Sequence, residues 1–135
     1  MFVKDVMTAE LLTVREDEDL PGLARLLSDN RISGAPVVDG DGYWRGMVTL
    51  FDLATQVAKQ EGTVSVAEIM NPAVYSVSPE TDLLSLSDFF LQSQLDSAVV
   101  TEQGRVVGIV TATDLLRCLT ENALARKEEE LCLTR

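Results

Sequence analysis

The sequence predicts an α/β fold of the α+β kind, made of two tandem β-α-β-β-α units. Three observations carry that expectation. Motifs repeat in the same order in both halves, at offsets of sixty-two and sixty-three residues. Helical and strand-like apolar spacing alternates identically in each half. Glycine-bearing turns join paired β-rich segments at matching places. Internal repeats are weighed first because a missed repeat miscasts the whole fold.

Val3-Lys4-Asp5-Val6-Met7 recurs as Val66-Ala67-Glu68-Ile69-Met70, Leu12-Thr13-Val14 as Tyr75-Ser76-Val77, and Asp19-Leu20 as Asp82-Leu83. Pro36-Val37-Val38 is aligned with Ala98-Val99-Val100, and Gly46 to Asp52 with Gly108 to Asp114. The offset therefore slips by one residue, in the helix or in the turn after it.

Each half opens with a short strand, around Leu12 to Val14 and around Tyr75 to Val77. Asp19 and Asp82 stand where a helix N-cap belongs, and Pro21 falls in a first helical turn, where its missing N–H costs nothing. Leu20, Leu23, Ala24, Leu26 and Leu27 have helical spacing, as do Leu83, Leu86, Phe89 and Phe90. Two strands follow in each half, Ala35 to Val38 with Trp44 to Thr49, and Ala98 to Thr101 with Val106 to Thr111. Asp39-Gly40-Asp41-Gly42 and Glu102-Gln103-Gly104 are their turns, with glycine placed for positive φ. A last helix covers Leu50 to Lys59 in one half and runs from Leu115 in the other. The expected units are residues 1–62 and 63–120, with a helical tail over 121–135. Neither unit alone buries enough surface, so the two should pack as one module across the short linker Gln60 to Ser65.

Composition bounds the function. Of 135 residues 46% are hydrophobic, ample for a core, and the formal net charge is -11 with no histidine. The acidic field opposes nucleic acids and anionic membranes, and makes every phosphate of a ligand harder to hold. Absence of histidine removes the commonest general base and metal ligand. Cys118 and Cys132 make a poor zinc set without it, and are read as packing or surface thiols. No apolar run reaches bilayer length and the N-terminus lacks secretory features, so a cytoplasmic protein is expected. No nucleophile–base pair or metal set is visible, so no enzymatic activity and no required cofactor are expected.

The informative constellation is Gly-hydrophobic-Val-Thr-x-x-Asp, at Gly46 to Asp52 and again at Gly108 to Asp114. It ends a strand and opens a helix. The threonine can cap that helix while its hydroxyl meets an anionic oxygen. The aspartate, in the first helical turn, can accept from the vicinal hydroxyls of a ribose, as an acidic residue does in dinucleotide sites. Capping alone would select the same pair, and duplication copies caps too. From the residues by themselves both readings stand.

The two halves resemble CBS domains, on the opening Val-x-x-Val-Met, the Thr13-Val14 strand, Arg31 to Asp39, and both Gly-to-Asp motifs; the likeness runs from Val3 to about Leu119. The resemblance implies a pseudo-two-fold pair with two clefts for AMP, ADP, ATP, S-adenosylmethionine or a relative. Carried over by position, Thr111 would meet phosphate, Asp114 ribose and Ile109 the base in one cleft, with Leu12 and Ser33 from the first half. Thr49, Asp52 and Met47 would take those roles in the other, with Tyr75 from the second half. The resemblance also implies a homodimer of pairs and, with no output domain in view, a separate protein as effector target. Two departures bear on the ligand. Ala98 is aligned with Pro36, and Gly34 and Asp96 stand where some relatives carry a phosphate-binding base. Together with the acidic charge they favour AMP, adenosine or S-adenosylmethionine over ATP. A ligand-free scaffold that associates through apolar faces is the alternative from another class.

Overall fold

The computed structural model describes residues 1–59, 62, 64–73 and 75–129. The first half runs α1 (Val3–Val6), β1 (Val14–Arg15), α2 (Leu20–Asn30), β2 (Gly34–Val38), β3 (Trp44–Thr49) and α3 (Leu50–Lys59). The second repeats it as α4 (Val66–Ile69), β4 (Asn71–Pro72), β5 (Ser76–Val77), α5 (Leu83–Ser93), β6 (Ser97–Glu102), β7 (Arg105–Thr111) and α6 (Ala112–Glu129). The two-unit α+β fold is thus the one expected. The additions are the one-turn helices α1 and α4, where the repeat beginning at Val3 and at Val66 lies, and the short strand β4. Helix α6 begins three residues before the expected Leu115, which puts Asp114 inside its first turn. Cys132 and the end of the tail lie outside the described residues.

Local chemistry sets the boundaries. Asp19 caps α2 by accepting from the Gly22 N–H at 2.8 Å, and Asp82 caps α5 by accepting from the Ser85 N–H at 2.8 Å. That bond to the Ser85 amide holds the Asp82 carboxyl below its ordinary value, since hydrogen bonds to a carboxylate favour the charged form. Both helices stop on a left-handed residue that is not glycine, Arg31 at φ 54° and Gln94 at φ 59°.

Sheet register corrects the repeat alignment. Gly34 faces Thr49 and Pro36 faces Met47, while Ser97 faces Thr111 and Val99 faces Ile109. Val99, not Ala98, therefore occupies the place of Pro36, and Ala98 matches Ala35. Asp96 matches Ser33 rather than Gly34, and both give their carbonyl to the first amide of the following helix, Ala112 and Leu50. The one-residue slip lies in the hairpin loop, since α2 and α5 match residue for residue. Asp39 organises the longer loop, its carboxylate accepting from the Asp41 and Tyr43 amides at 2.9 and 3.0 Å. The shorter one turns on Gln103 and Gly104, both at positive φ, between paired Glu102 and Arg105.

The cores interlock. Val66, fully buried, packs in the first cluster with Leu23, Leu27, Val37 and Val48. Val3, also fully buried, packs in the second with Val77, Leu86, Val100 and Val110. Each unit's leading helix thus completes the other unit's core. The hairpins meet as well. The Trp44 amide donates to the Gly104 carbonyl at 2.9 Å, and the Arg105 guanidinium lies over the Tyr43 ring while donating to the Asp41 carbonyl. Apolar burial at the ends and polar contacts in the middle join the halves into one module.

Candidate functional site

After each leading helix the chain crosses onto the opposite hairpin. Asn71 and Pro72 of β4 pair with Met47 and Gly46 of β3. Thr8 pairs with Ile109 of β7 through two backbone bonds, of 2.9 and 3.0 Å. The motif glycines are required here. A β-carbon on Gly46 would collide with the Asn71 carbonyl, and one on Gly108 would sit 2.9 Å from the Thr8 carbonyl. The backbone that approaches each of these glycines is the chain's own.

Each crossing strand walls one cleft. The first, about 310 Å³, is lined by Met47, Thr49 and Tyr75 together with Trp44, Asn71, Pro72, Leu95, Ser97, Ala98 and Val99. The second, about 340 Å³, is lined by Leu12 and Ile109 together with Thr8, Glu10, Leu11, Asn30, Ile32, Gly34 and Pro36. The corrected register makes them counterparts: Tyr75 stands where Leu12 does, Val99 where Pro36 does, Leu95 where Ile32 does. Their walls differ in kind. Two aromatic side chains, Trp44 and Tyr75, line the first; a carboxylate, Glu10, lines the second at the place of Ala73 in the repeat.

Threonine and aspartate form reciprocal caps in both motifs. The Thr49 amide donates to Asp52 Oδ2 at 2.8 Å and the Asp52 amide to Thr49 Oγ1 at 3.2 Å. The Thr111 amide donates to Asp114 Oδ2 at 2.9 Å and the Asp114 amide to Thr111 Oγ1 at 3.1 Å. Capping, one of the two readings open from sequence, is therefore realised in each copy. In the first copy only Oδ2 of Asp52 is engaged among the described residues. In the second, Arg117 donates to Asp114 Oδ1 at 3.1 Å, and that carboxylate is buried with 10% of its side chain exposed.

The sequence-derived set is thus partly assembled. Met47, Thr49 and Tyr75 share the first cleft, with Asp52 held behind Thr49. Leu12 and Ile109 share the second. Thr111 and Ser33 do not line it, although Ser33 lies between two residues that flank it, Ile32 and Gly34. Asp114 borders a separate hollow of about 180 Å³ with Met1, Asp5, Val6, Arg117, Cys118 and Glu121. Sequence reasoning missed Trp44, Leu95, Val99 and Glu10. The repeat itself could have supplied Leu95 and Val99 as counterparts of Ile32 and Pro36, had the slip been placed in the loop. Among the described residues, neither cleft has lysine or arginine in its lining.

Comparison with known proteins places this geometry. The CBS-domain family model matches twice, over residues 3–59 and 66–121. The CBS domain-containing protein YhcV of Bacillus subtilis is 31% identical over 115 residues, which is 84% of this chain and 81% of that protein. The CBS domain pair of protein MJ0100, solved with 5′-methylthioadenosine and S-adenosyl-L-methionine, superposes with a TM-score of 0.77 at 24% identity, covering 90% of this chain and 98% of that one. CBSX2, solved in complex with AMP, superposes with a TM-score of 0.76 at 24% identity over the same shares of the two chains.

Proposed function

The chain belongs to the CBS-domain family, and from that premise we propose that it is a regulatory sensor. It binds an adenosine-containing ligand of the AMP, ADP, ATP or S-adenosylmethionine type between its two units and signals to a separate protein. The observation that carries this reading is the first cleft. Its volume of about 310 Å³ falls at the lower end of small-molecule sites, roughly 300–1,000 Å³. Its walls are mostly apolar, with a few polar groups at one end. Met47 and the Tyr75 ring, which is edge-on to Phe89 at 6.2 Å between centroids, are the surfaces this cleft offers an adenine ring. The Thr49 hydroxyl, which donates to Asp52 Oδ2 at 3.0 Å, stands at the α3 N-terminus, where it could turn to a ribose or phosphate oxygen. That AMP, 5′-methylthioadenosine and S-adenosyl-L-methionine occupy pairs of the same fold supports the ligand class.

The outer helix surfaces support a homodimer. Leu50 and Phe51 on α3, Leu84 and Leu91 on α5, and Leu116 on α6 are exposed apolar side chains, Phe51 at 77%. A ligand that favours one angle between units or protomers would be read there by the effector, because only differential binding to two shapes can shift them.

Thermal shift with a panel of AMP, ADP, ATP, S-adenosylmethionine and 5′-methylthioadenosine tests the reading. A true ligand at ~100 times its Kd adds about 2.7 kcal/mol of stability. Light scattering with and without that ligand tests the assembly. A dimeric mass with no shift from any panel member would support the ligand-free scaffold instead.

A further inference from the structure

The two clefts have diverged, and we propose that the chain binds one ligand, in the cleft lined by Met47, Thr49 and Tyr75, and that the ligand carries at most one phosphate. The inference rests on the adenosine-sensor reading and assigns its site and stoichiometry. Three differences between the clefts point the same way.

The first is the carboxylate. Asp52 uses Oδ2 to cap α3 and leaves Oδ1 unengaged by any described residue. Asp114 uses Oδ2 for the same cap and gives Oδ1 to Arg117. In the first unit the place of Arg117 belongs to Thr55, whose hydroxyl turns back to the Phe51 carbonyl at 2.9 Å and offers Asp52 nothing. A ribose that reaches past Thr49 can therefore add a hydrogen bond to Asp52, whereas Asp114 faces a separate hollow rather than the second cleft and would have to release a guanidinium from a buried carboxylate. The second difference is the wall. Trp44 and Tyr75 give a nucleobase aromatic surface in the first cleft, and no aromatic residue lines the second. The third is charge. Glu10 lines the second cleft, and a carboxylate there repels any phosphate that enters. Among the described residues the first cleft has neither such an anion nor a cation in its lining, so a monophosphate there depends on the Thr49 hydroxyl exchanging its bond to Asp52 Oδ2 for the ligand, and nothing neutralises a second or third phosphate.

Isothermal titration with AMP and ATP, each into the full chain, tests both clauses. The expected result is one AMP per chain, with ATP at least 10-fold weaker. Asp52→Asn should weaken AMP by roughly 10- to 100-fold, the loss of a charge-assisted hydrogen bond. Tyr75→Ala, at a side chain 60% exposed and outside both cores, should weaken it strongly while removing only the edge-on contact with Phe89 from the fold, so that the variant stays folded. Glu10→Ala should leave AMP affinity as in the parent. The paired variant Glu10→Ala/Arg117→Thr should move the stoichiometry towards two. Two AMP per chain in the parent, or full affinity in both Asp52→Asn and Tyr75→Ala, would overturn the assignment while leaving the sensor reading intact. Binding of ATP as tight as AMP would overturn the phosphate clause alone. No binding by either nucleotide, S-adenosylmethionine or 5′-methylthioadenosine would overturn the sensor reading and this inference together.

Discussion

The crossing of β4 over Gly46 and the crossing of Thr8 over Gly108 are the same device built to different tolerances. Over Gly46 the Asn71 carbonyl lies against the bare α-carbon with no room for a methyl group. Over Gly108 the nearest atom to an added methyl is Met7 Sδ at 2.7 Å, the end of a flexible side chain, with the Thr8 carbonyl next at 2.9 Å. The motif glycine is thus held in both copies by the chain's own backbone. How firmly it is held depends on what the leading segment brings to the contact. Duplication copied the requirement, and divergence adjusted the neighbour.

Gly46→Ala and Gly108→Ala should break this comparison most visibly. Overpacking costs typically ~1–3 kcal/mol. We expect about 3 kcal/mol for Gly46→Ala, where backbone must move furthest, and about 2 kcal/mol for Gly108→Ala, where Met7 can give way but the Thr8 carbonyl must still shift slightly. Urea unfolding of both variants measures the difference. Equal losses would mean that the two crossings are equally rigid.

The interlocked cores give the next effect. Val3→Ala and Val66→Ala each remove two methyl groups from a fully buried site, about 2 kcal/mol with the cavity included. The location of the damage is the sharper observable. Val3→Ala should raise hydrogen exchange in β6 and β7, and Val66→Ala in β2 and β3, each in the half to which the residue does not belong by sequence. Exchange raised in the residue's own half would contradict the exchange of leading helices between units.

This exchange marks the limit of what could be read from the chain. The repeat, the fold class, the caps at Asp19 and Asp82 and the span of α3 were all legible, because each depends on local chemistry within a few residues. Val3 and Val66 sit in matching settings, Val-x-x-Val-Met and Val-x-x-Ile-Met, and apolar character says that a side chain is buried but not in whose core. The slip in offset was misplaced for a related reason. Helices α2 and α5 share spacing but little identity, so a gap in either would have cost the alignment nothing. Only the strand register moved it to the loop and put Val99 in the place of Pro36. At the site, Met47, Thr49 and Tyr75 were legible by position. The pairing of Arg117 with Asp114 was hidden because a helical Arg three residues from an Asp is commonplace, and its importance appears only beside Thr55.

Helix ends offer a comparison expected to show no asymmetry. Arg31 and Gln94 both adopt the left-handed conformation that glycine accepts more readily. Arg31→Gly and Gln94→Gly should each stabilise the protein, by roughly 0.5–1 kcal/mol in urea unfolding. A gain at one site only would show that the other side chain makes a compensating contact, and the two units would then differ at their helix ends as they do at their clefts.

The smallest expected effect separates the two hairpins by pH. In the first, bonding to the Tyr43 amide, helped by the Asp41 amide, holds the Asp39 carboxyl below its ordinary value near 3.9. A depressed folded-state value means that its contribution is fully present above the unfolded value and is lost as pH falls through the folded one. The second hairpin turns on Gln103 and Gly104, and its carboxylate, Glu102, accepts no bond from a turn amide among the described residues. Amide proton shifts of Asp41 and Tyr43 should therefore titrate together and widely, with a midpoint below about 3.9, while those of Gln103 and Gly104, which donate to no carboxylate among the described residues, should show no such large shared change. Asp39→Asn should abolish the first titration and leave the second turn as it was. Acid would then loosen the loop where the repeat acquired its extra residue, because only that loop is held in shape by a charge.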